Sequence, residues 1–381
     1  MSAHRAIALL AAVAATAVAC SNSSTVGSRS PSPAVSAVSP QTSPPSAGSP
    51  PGGASPSPSS AQSPTPVTGS FGVLVTVLTS GNYTVSLIGV DGKVVASAQA
   101  SSPATVSCAG TAAAVVPPPV STSNTRVYFM DAQGVVRFLS PNGDTGQATS
   151  VPVGSARRSM FAVSPDDQRI AVVVADFAQG GASTRLYVED LNGGGNHVDP
   201  FSETGSFTLW PTGWHGVNNL VVAKVPACTQ GGGPLCCGPQ ELHVVDPNTA
   251  TRRFTLGGPT CVIAGAASPA GVVCENTQFT LVTVVNWVAV SQRSTGIPGP
   301  APAYLSPDGT LIAIVDFSTA STAVNGASRT MALQACGWID ATHLLAGGDA
   351  QQQPRVGDVT SGTIVPVAAQ GDCGGRIPGG L

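Results

Sequence analysis

Phe161-Ala162-Val163-Ser164-Pro165-Asp166-Asp167-Gln168-Arg169-Ile170-Ala171-Val172 returns further along the chain as Ala303-Tyr304-Leu305-Ser306-Pro307-Asp308-Gly309-Thr310-Leu311-Ile312-Ala313-Ile314. In each copy an apolar strand enters a tight turn and leaves as a second apolar strand. Pro and Asp pre-set the turn, and Gly309 supplies a residue that accepts positive φ. Ala267-Ser268-Pro269-Ala270-Gly271-Val272-Val273 is a degraded third copy. A second repeated unit places Gly213-Trp214-His215-Gly216 before Leu220-Val221-Val222-Ala223, and Gly337-Trp338-Ile339-Asp340 before Leu344-Leu345-Ala346.

Further strand-like runs occur at Gly72–Leu78, Thr84–Val90, Arg126–Met130, Arg185–Glu189, Glu241–Val245 and Phe279–Val285. Turn pairs such as Asp91-Gly92, Asn142-Gly143 and Asn192-Gly193 separate them. No stretch carries a long 3.6-residue apolar period with caps, so the chain reads as all-β. The second strand of each unit is expected to begin near residues 73, 126, 169, 219, 271, 311 and 343. The mean interval of about 45 residues is the blade period of a propeller. The Ser-Pro-Asp-Gly turn followed by an apolar strand resembles the TolB-like propeller repeat, a relative of the WD repeat. The resemblance extends over roughly Phe71 to Val367 and implies a propeller of about seven four-stranded blades. Six blades is the alternative, because 311 to 343 is a short interval. Phe71 enters directly on a strand, so ring closure calls for a strand from the other end of the chain, expected within Thr363–Cys373.

The N-terminal region divides in two. Arg5 precedes an uncharged apolar stretch from Ala6 to Val18, which ends in Ala17-Val18-Ala19-Cys20. Thirteen residues are too few for a bilayer core, which needs about 20. The segment resembles a bacterial lipoprotein signal, although Ala17 stands where that family usually has Leu. The resemblance implies a signal peptide over 1–19 and lipidation of Cys20, with the chain anchored on the extracytoplasmic face of the cell membrane. The overall layout also resembles uncharacterised actinobacterial-type lipoproteins. An ordinary secretory signal cut near Ala19 is the alternative. Ser21–Ser70 holds 17 Ser, 11 Pro and one charged residue, Arg29. That composition cannot bury enough apolar surface to offset the entropy of ordering, so residues 20–70 are expected to be a disordered tether. Residues 71–381 are expected to form the propeller.

Nine cysteines minus Cys20 leave Cys108, Cys228, Cys236, Cys237, Cys261, Cys274, Cys336 and Cys373. An even number in an exported domain suggests disulfides, with Cys336 and Cys373 able to clamp the last blade. A zinc site from Cys228, Cys236, Cys237 and His243 is the weaker alternative, since the usual two-residue Cys spacing is missing.

Composition narrows the function. Charged residues are 9% of the chain and the net charge is −3, which excludes a basic nucleic-acid surface. Arg157-Arg158 and Arg252-Arg253 are isolated pairs rather than a phosphate-tracking stripe. No Gly-x-Ser-x-Gly elbow, His-Glu-x-x-His or Walker motif occurs. Only four Glu and two Lys are present, and most Asp residues sit in turns. Asp131, Asp176 and Asp316 follow buried strands and could reach the channel mouth. Trp210, Trp214, Trp287 and Trp338 could form a ligand platform, but Trp more often packs between blades with its N–H bonded to backbone. No catalytic residue, cofactor or metal is expected. Two function classes follow: a monomeric, non-enzymatic envelope module binding protein or glycan, or a propeller enzyme of lactonase, glycosidase or dehydrogenase type working at the central channel.

Overall fold

The computed structural model describes residues 67–106, 118–177, 182–227, 241–276, 282–287, 292–295, 297 and 301–381. The expected signal peptide, Cys20 and the tether up to residue 66 lie outside these residues, as do Cys108, Cys228, Cys236 and Cys237. Everything described belongs to one compact unit, residues 60–381. No helix occurs among the described residues.

The strands fall into seven antiparallel sheets of four. The first comprises β1 (Phe71–Val77), β2 (Asn82–Gly89) and β3 (Val94–Ser101), plus one strand from the far end of the chain. Blade 2 is β4 (Val120–Thr122), β5 (Val127–Met130), β6 (Val135–Leu139) and β7 (Thr145–Ser150). Blade 3 is β8 (Arg157–Val163), β9 (Arg169–Asp176), β10 (Ala182–Asp190) and β11 (Val198–Gly205). Blade 4 is β12 (Phe207–His215), β13 (Asn219–Pro226), β14 (Glu241–Val245) and β15 (Arg252–Leu256). Blade 5 is β16 (Val262–Ile263), β17 (Val272–Glu275), β18 (Val282–Val285) and β19 (Gln292–Ser294). Blade 6 is β20 (Ala303–Leu305), β21 (Ile312–Asp316), β22 (Ser321–Asn325) and β23 (Arg329–Met331). Blade 7 is β24 (Gly337–Trp338), β25 (His343–Ala346), β26 (Arg355–Asp358) and β27 (Ile364–Pro366). The last strand, β28 (Asp372–Ile377), joins blade 1 beside β1, pairing Phe71 with Ile377 and Val75 with Asp372.

The fold is therefore a seven-bladed β-propeller, and the second strands begin within a few residues of the positions expected from the repeat. Apolar clusters lie between successive blades. Tyr128 and Val136 of blade 2 pack with Phe161 and Val172 of blade 3. Ala162 and Leu186 pack with Trp214 and Val222 across blades 3 and 4, and Trp210 and Leu242 pack with Ile263 and Val272 across blades 4 and 5. Val273 meets Ala303 and Leu305, Val315 and Met331 meet Trp338 and Leu344, and Leu345 and Val356 meet Leu74 and Ile88. Val73 and Val85 then pack on Val127 and Phe129, which closes the ring. Every sheet thus buries both faces, which explains why so many strand interiors are continuous Val, Ile and Leu runs.

The closing strand departs from expectation. Thr363–Cys373 overlaps β28 only at Asp372 and Cys373, and Ile364–Pro366 instead forms the outer edge of blade 7. Two glycines, Gly374 and Gly375, lie within β28. In the structure they let β28 approach its neighbours: a Cβ on Gly374 would lie 2.8 Å from the Val75 side chain, and Gly375 has φ 121°. Cys336 and Cys373 form a disulfide with a Cα separation of 5.8 Å, tying β28 to blade 7, and Cys261 bonds Cys274 within blade 5.

Candidate functional site

The two repeated units interlock. Trp214 Nε1 donates to the Ala162 carbonyl of the preceding blade at 3.0 Å, and Trp338 Nε1 donates to the Tyr304 carbonyl at 2.9 Å. Ala162 and Tyr304 occupy the same place in the two Ser-Pro-Asp repeats. Trp287 donates to the Ser268 carbonyl at 2.7 Å. These three side chains, each 5% exposed or less, pack between strands and do not form a ligand platform.

The three Asp residues that follow buried strands are engaged locally. Asp131 Oδ1 accepts from the Gln133 and Val135 amides, and its other oxygen meets Arg137 Nε at 3.2 Å. Asp176 pairs with Arg157 at 2.8 Å. Asp316 accepts from Ser318 and Thr319, which hold its carboxyl down at about 2. Glu189 binds His197 Nδ1 at 2.7 Å, and this partner raises the imidazole above its ordinary value. Among the described residues, no three of His, Cys, Asp and Glu come together in an arrangement able to hold a metal ion.

On the face where the inner strands end, the chain beyond β28 crosses blades 2, 3 and 4. Gly379 N–H donates to the Ser123 carbonyl at 2.6 Å, Gly380 lies against Pro165, and Leu381 N–H donates to the Trp214 carbonyl at 2.7 Å. His215 Nδ1 hydrogen-bonds to the Leu381 carbonyl, and its ring stacks on Trp287 with centroids 4.9 Å apart. The Leu381 side chain packs against the core shared by blades 4 and 5.

A cavity of about 390 Å³ lies between blades 3 and 4. Its floor is apolar, from Leu186, Phe201, Leu209, Val222 and Val245. Its rim is polar, with Glu203, Lys224, His243 and Arg252. Lys224 Nζ sits 4.7 Å over the ring of Phe207, which is itself 38% exposed. Burial pushes the His243 imidazole below its ordinary value, so at neutral pH it is uncharged and donates Nε2–H to Glu241. That hydrogen bond in turn keeps the Glu241 carboxyl low and charged. The volume falls in the range of small-ligand and segment-binding clefts, which pair apolar walls with a few placed polar groups.

Sequence reasoning did not find this groove. Its residues come mostly from β10 to β15; Val222 belongs to a repeated unit and His243 was a zinc candidate, but neither reading pointed to a groove. Arg252 was visible only as half of a basic pair, and its neighbour Arg253 turns away to Asp246 at 2.7 Å and Asn219 at 2.8 Å. The one usable signal was aromatic: Phe201 and Phe207 flank a polar stretch where an ordinary blade edge needs no aromatics.

No protein-family description matches the sequence, and no curated protein matches it. Solved structures with a similar fold include TolB from Acinetobacter baumannii, at 12% identity and a TM-score of 0.42, covering 82% of this chain and 67% of that one. The dihydro-heme d1 dehydrogenase NirN matches at 13% identity with a TM-score of 0.46, over 83% of this chain and 76% of its own. The β-propeller domain of Cps50 (Swd1) from Myceliophteria thermophila matches at 10% and 0.42, over 75% and 95%.

Proposed function

We propose that the protein is a lipid-anchored envelope protein whose propeller works as a non-enzymatic binding module on the extracytoplasmic face of the membrane. The observation that carries the binding role is the groove between blades 3 and 4. It offers an apolar floor with Phe201 and Phe207 beside it, and a rim of both charge signs, to a segment of an envelope protein or a glycan. Groups that would do acid–base chemistry are instead occupied: the turn Asp residues bond their own backbone, and His243 and Glu241 satisfy each other. The anchoring role rests on the Ala17-Val18-Ala19-Cys20 ending and on the Ser/Pro-rich spacer that follows.

Two experiments test the two halves separately. Replacing Cys20 by Ser is expected to release the protein into the medium or leave an uncleaved precursor. A processed, membrane-bound Cys20→Ser protein overturns the lipid anchor. For binding, a photocrosslinking residue placed at Phe201 is compared in living cells with one at Val94, an exposed residue of blade 1. A discrete adduct at Phe201 but not at Val94 supports the groove, and glycosidase or protease treatment of the adduct distinguishes a glycan from a protein. Equal labelling at both positions removes the groove from consideration.

A further inference from the structure

Arg157 and Arg158 are neighbours on β8, and a strand sends neighbours to opposite faces. Arg157 turns to solvent and forms its ion pair with Asp176. Arg158 turns inward between blades 3 and 4 and is only 7% exposed. Its guanidinium lies 4.9 Å from the Phe177 ring centroid and 5.7 Å from that of Trp210, both rings themselves buried. Its Nε and Nη1 have no hydrogen-bond partner among the described residues. No carboxylate offsets the charge: Asp176, the nearest acid in sequence to Phe177, is committed to Arg157. Burial alone lowers the guanidinium to about 10, so it is still charged at neutral pH.

A buried cation without an anion is among the costliest arrangements a protein interior can hold. Two aromatic faces recover part of that cost but leave the Nε and Nη1 donors unused. Those donors, fixed in a plane by rings, are the geometry used to recognise oxyanions. We propose that Arg158, Phe177 and Trp210 form a binding site for a small oxyanion group of carboxylate, sulfate or phosphate type. The site is distinct from the groove described above, whose lining does not include Arg158.

The test titrates the full mature chain with sodium acetate, sulfate or phosphate at constant ionic strength made up with sodium chloride. Melting temperature and tryptophan fluorescence are followed together. The site predicts a saturable fluorescence change and a melting temperature rising by roughly 2 °C per tenfold increase in the preferred anion above its dissociation constant. Which of the three salts acts identifies planar carboxylate or tetrahedral oxyanion as the ligand chemistry. Arg158→Met, close in volume and uncharged, is expected to melt higher than the wild type in chloride alone and to lose the anion response. Arg158→Lys is expected to keep a weakened response. A wild type indifferent to all three anions overturns the proposal without any variant. An undiminished response in Arg158→Met overturns it too.

Discussion

Blades 3 and 6 carry the same turn with one difference at its fourth position. In blade 3, Ser164 Oγ donates to Asp166 at 2.6 Å and accepts from the Arg169 amide at 2.9 Å. In blade 6, Ser306 Oγ donates to Asp308 at 2.6 Å and accepts from the Leu311 amide at 2.9 Å. The next residue is Gly309 in blade 6, at φ 75°, and Asp167 in blade 3, at φ 61°. A left-handed conformation is free for Gly and costs a residue with a Cβ about 1–2 kcal/mol. Blade 3 keeps the costlier residue because its carboxylate accepts from Tyr128 Oη at 2.8 Å and Thr125 Oγ1 at 2.6 Å, both in blade 2. The blade preceding blade 6 presents Val273 in the corresponding strand, with no hydroxyl to satisfy. The degraded third copy completes the series. Ala270 stands where the other copies have Asp, and Ser268 is left with longer bonds of 3.3 Å within the turn. The Ser hydroxyl and the first Asp build the turn, whereas the fourth residue answers to the neighbouring blade.

The largest expected effect breaks the comparison outright. Ending the chain after Gly371 removes β28, leaves β1 as an open edge of blade 1 and removes the disulfide that ties blade 1 to blade 7. The stability of a domain, of the order of 5–15 kcal/mol, is then expected to vanish, with no cooperative transition in urea. The difference between the two turns disappears with it, because both depend on the same ring. The double replacement Cys336→Ala/Cys373→Ala is the control, since the truncation also removes a disulfide closing 37 residues. It is expected to cost about 4 kcal/mol at most while keeping a cooperative transition. A truncated domain that melts like the full one would show that β28 does not hold the ring.

Next in size is Asp167→Ala. It strands the Tyr128 hydroxyl, which is fully buried, removes the bond to Thr125 and leaves a Cβ at positive φ. The expected loss is about 4 kcal/mol by urea denaturation. Asp167→Gly copies blade 6 into blade 3 and relieves the backbone, so it is expected to lose about 1 kcal/mol less. Equal losses in the two variants would show that the backbone of blade 3 is not strained and that the hydrogen bonds carry the whole difference.

The repeat made the fold legible because it is written twice with turn chemistry intact. The Pro-Asp turns, the Gly-Trp units and the 45-residue spacing all report local geometry that each blade must satisfy for itself. Legibility failed where a residue's role is set across a blade boundary. Asp166-Asp167 read as two solvated turn carboxylates, yet Asp167 is 4% exposed and serves blade 2. Asp176 and Asp316 both follow buried strands and each precedes a Phe, yet Phe177 is buried beneath Arg158 while Phe317 is 66% exposed. Gly374-Gly375 lies in no apolar pattern, so nothing in the sequence announces the crowding that requires glycine there. The groove and the buried arginine were invisible for the same reason: each is assembled from strands of two blades.

A smaller effect sharpens the comparison from the other side. Gly309→Asp gives blade 6 the residue that blade 3 carries, without the hydroxyls that reward it. A Cβ there would lie 2.9 Å from the Ala270 Cβ, and the φ of 75° stays unfavourable. The expected cost is about 1–2 kcal/mol, measured as a lowered urea midpoint at unchanged slope. A neutral result would mean that Asp at this position needs no partner, and the account of Asp167 would lose its basis.

The smallest effect concerns the first Asp of the turn, where blade 6 is better provided than blade 3. Thr310 Oγ1 donates to both Asp308 oxygens at 2.9 Å, in addition to the Thr310 amide at 3.1 Å. In blade 3 the equivalent residue is Gln168, whose amide reaches Asp166 at 3.3 Å and whose side chain bonds the backbone instead. Burial alone would raise the Asp308 carboxyl, but the Ser306 and Thr310 donors outweigh it and hold the group below its ordinary value of 3.8. The folded chain therefore binds this proton less readily than the unfolded chain. The stabilisation is complete above pH 3.8 and is lost as the pH falls through the lowered value. Thr310→Val keeps the side-chain shape and removes one hydroxyl donor, which both carboxylate oxygens share. Its carboxyl is expected to titrate higher, by carbon-detected NMR, and its stability to fall slightly short of wild type at pH 7. That shortfall should shrink as the pH drops below 3.8, because protonated Asp308 no longer needs the hydroxyl. A shortfall that stays constant down the acid range would mean that Thr310 acts through packing and that its bonds to Asp308 contribute nothing.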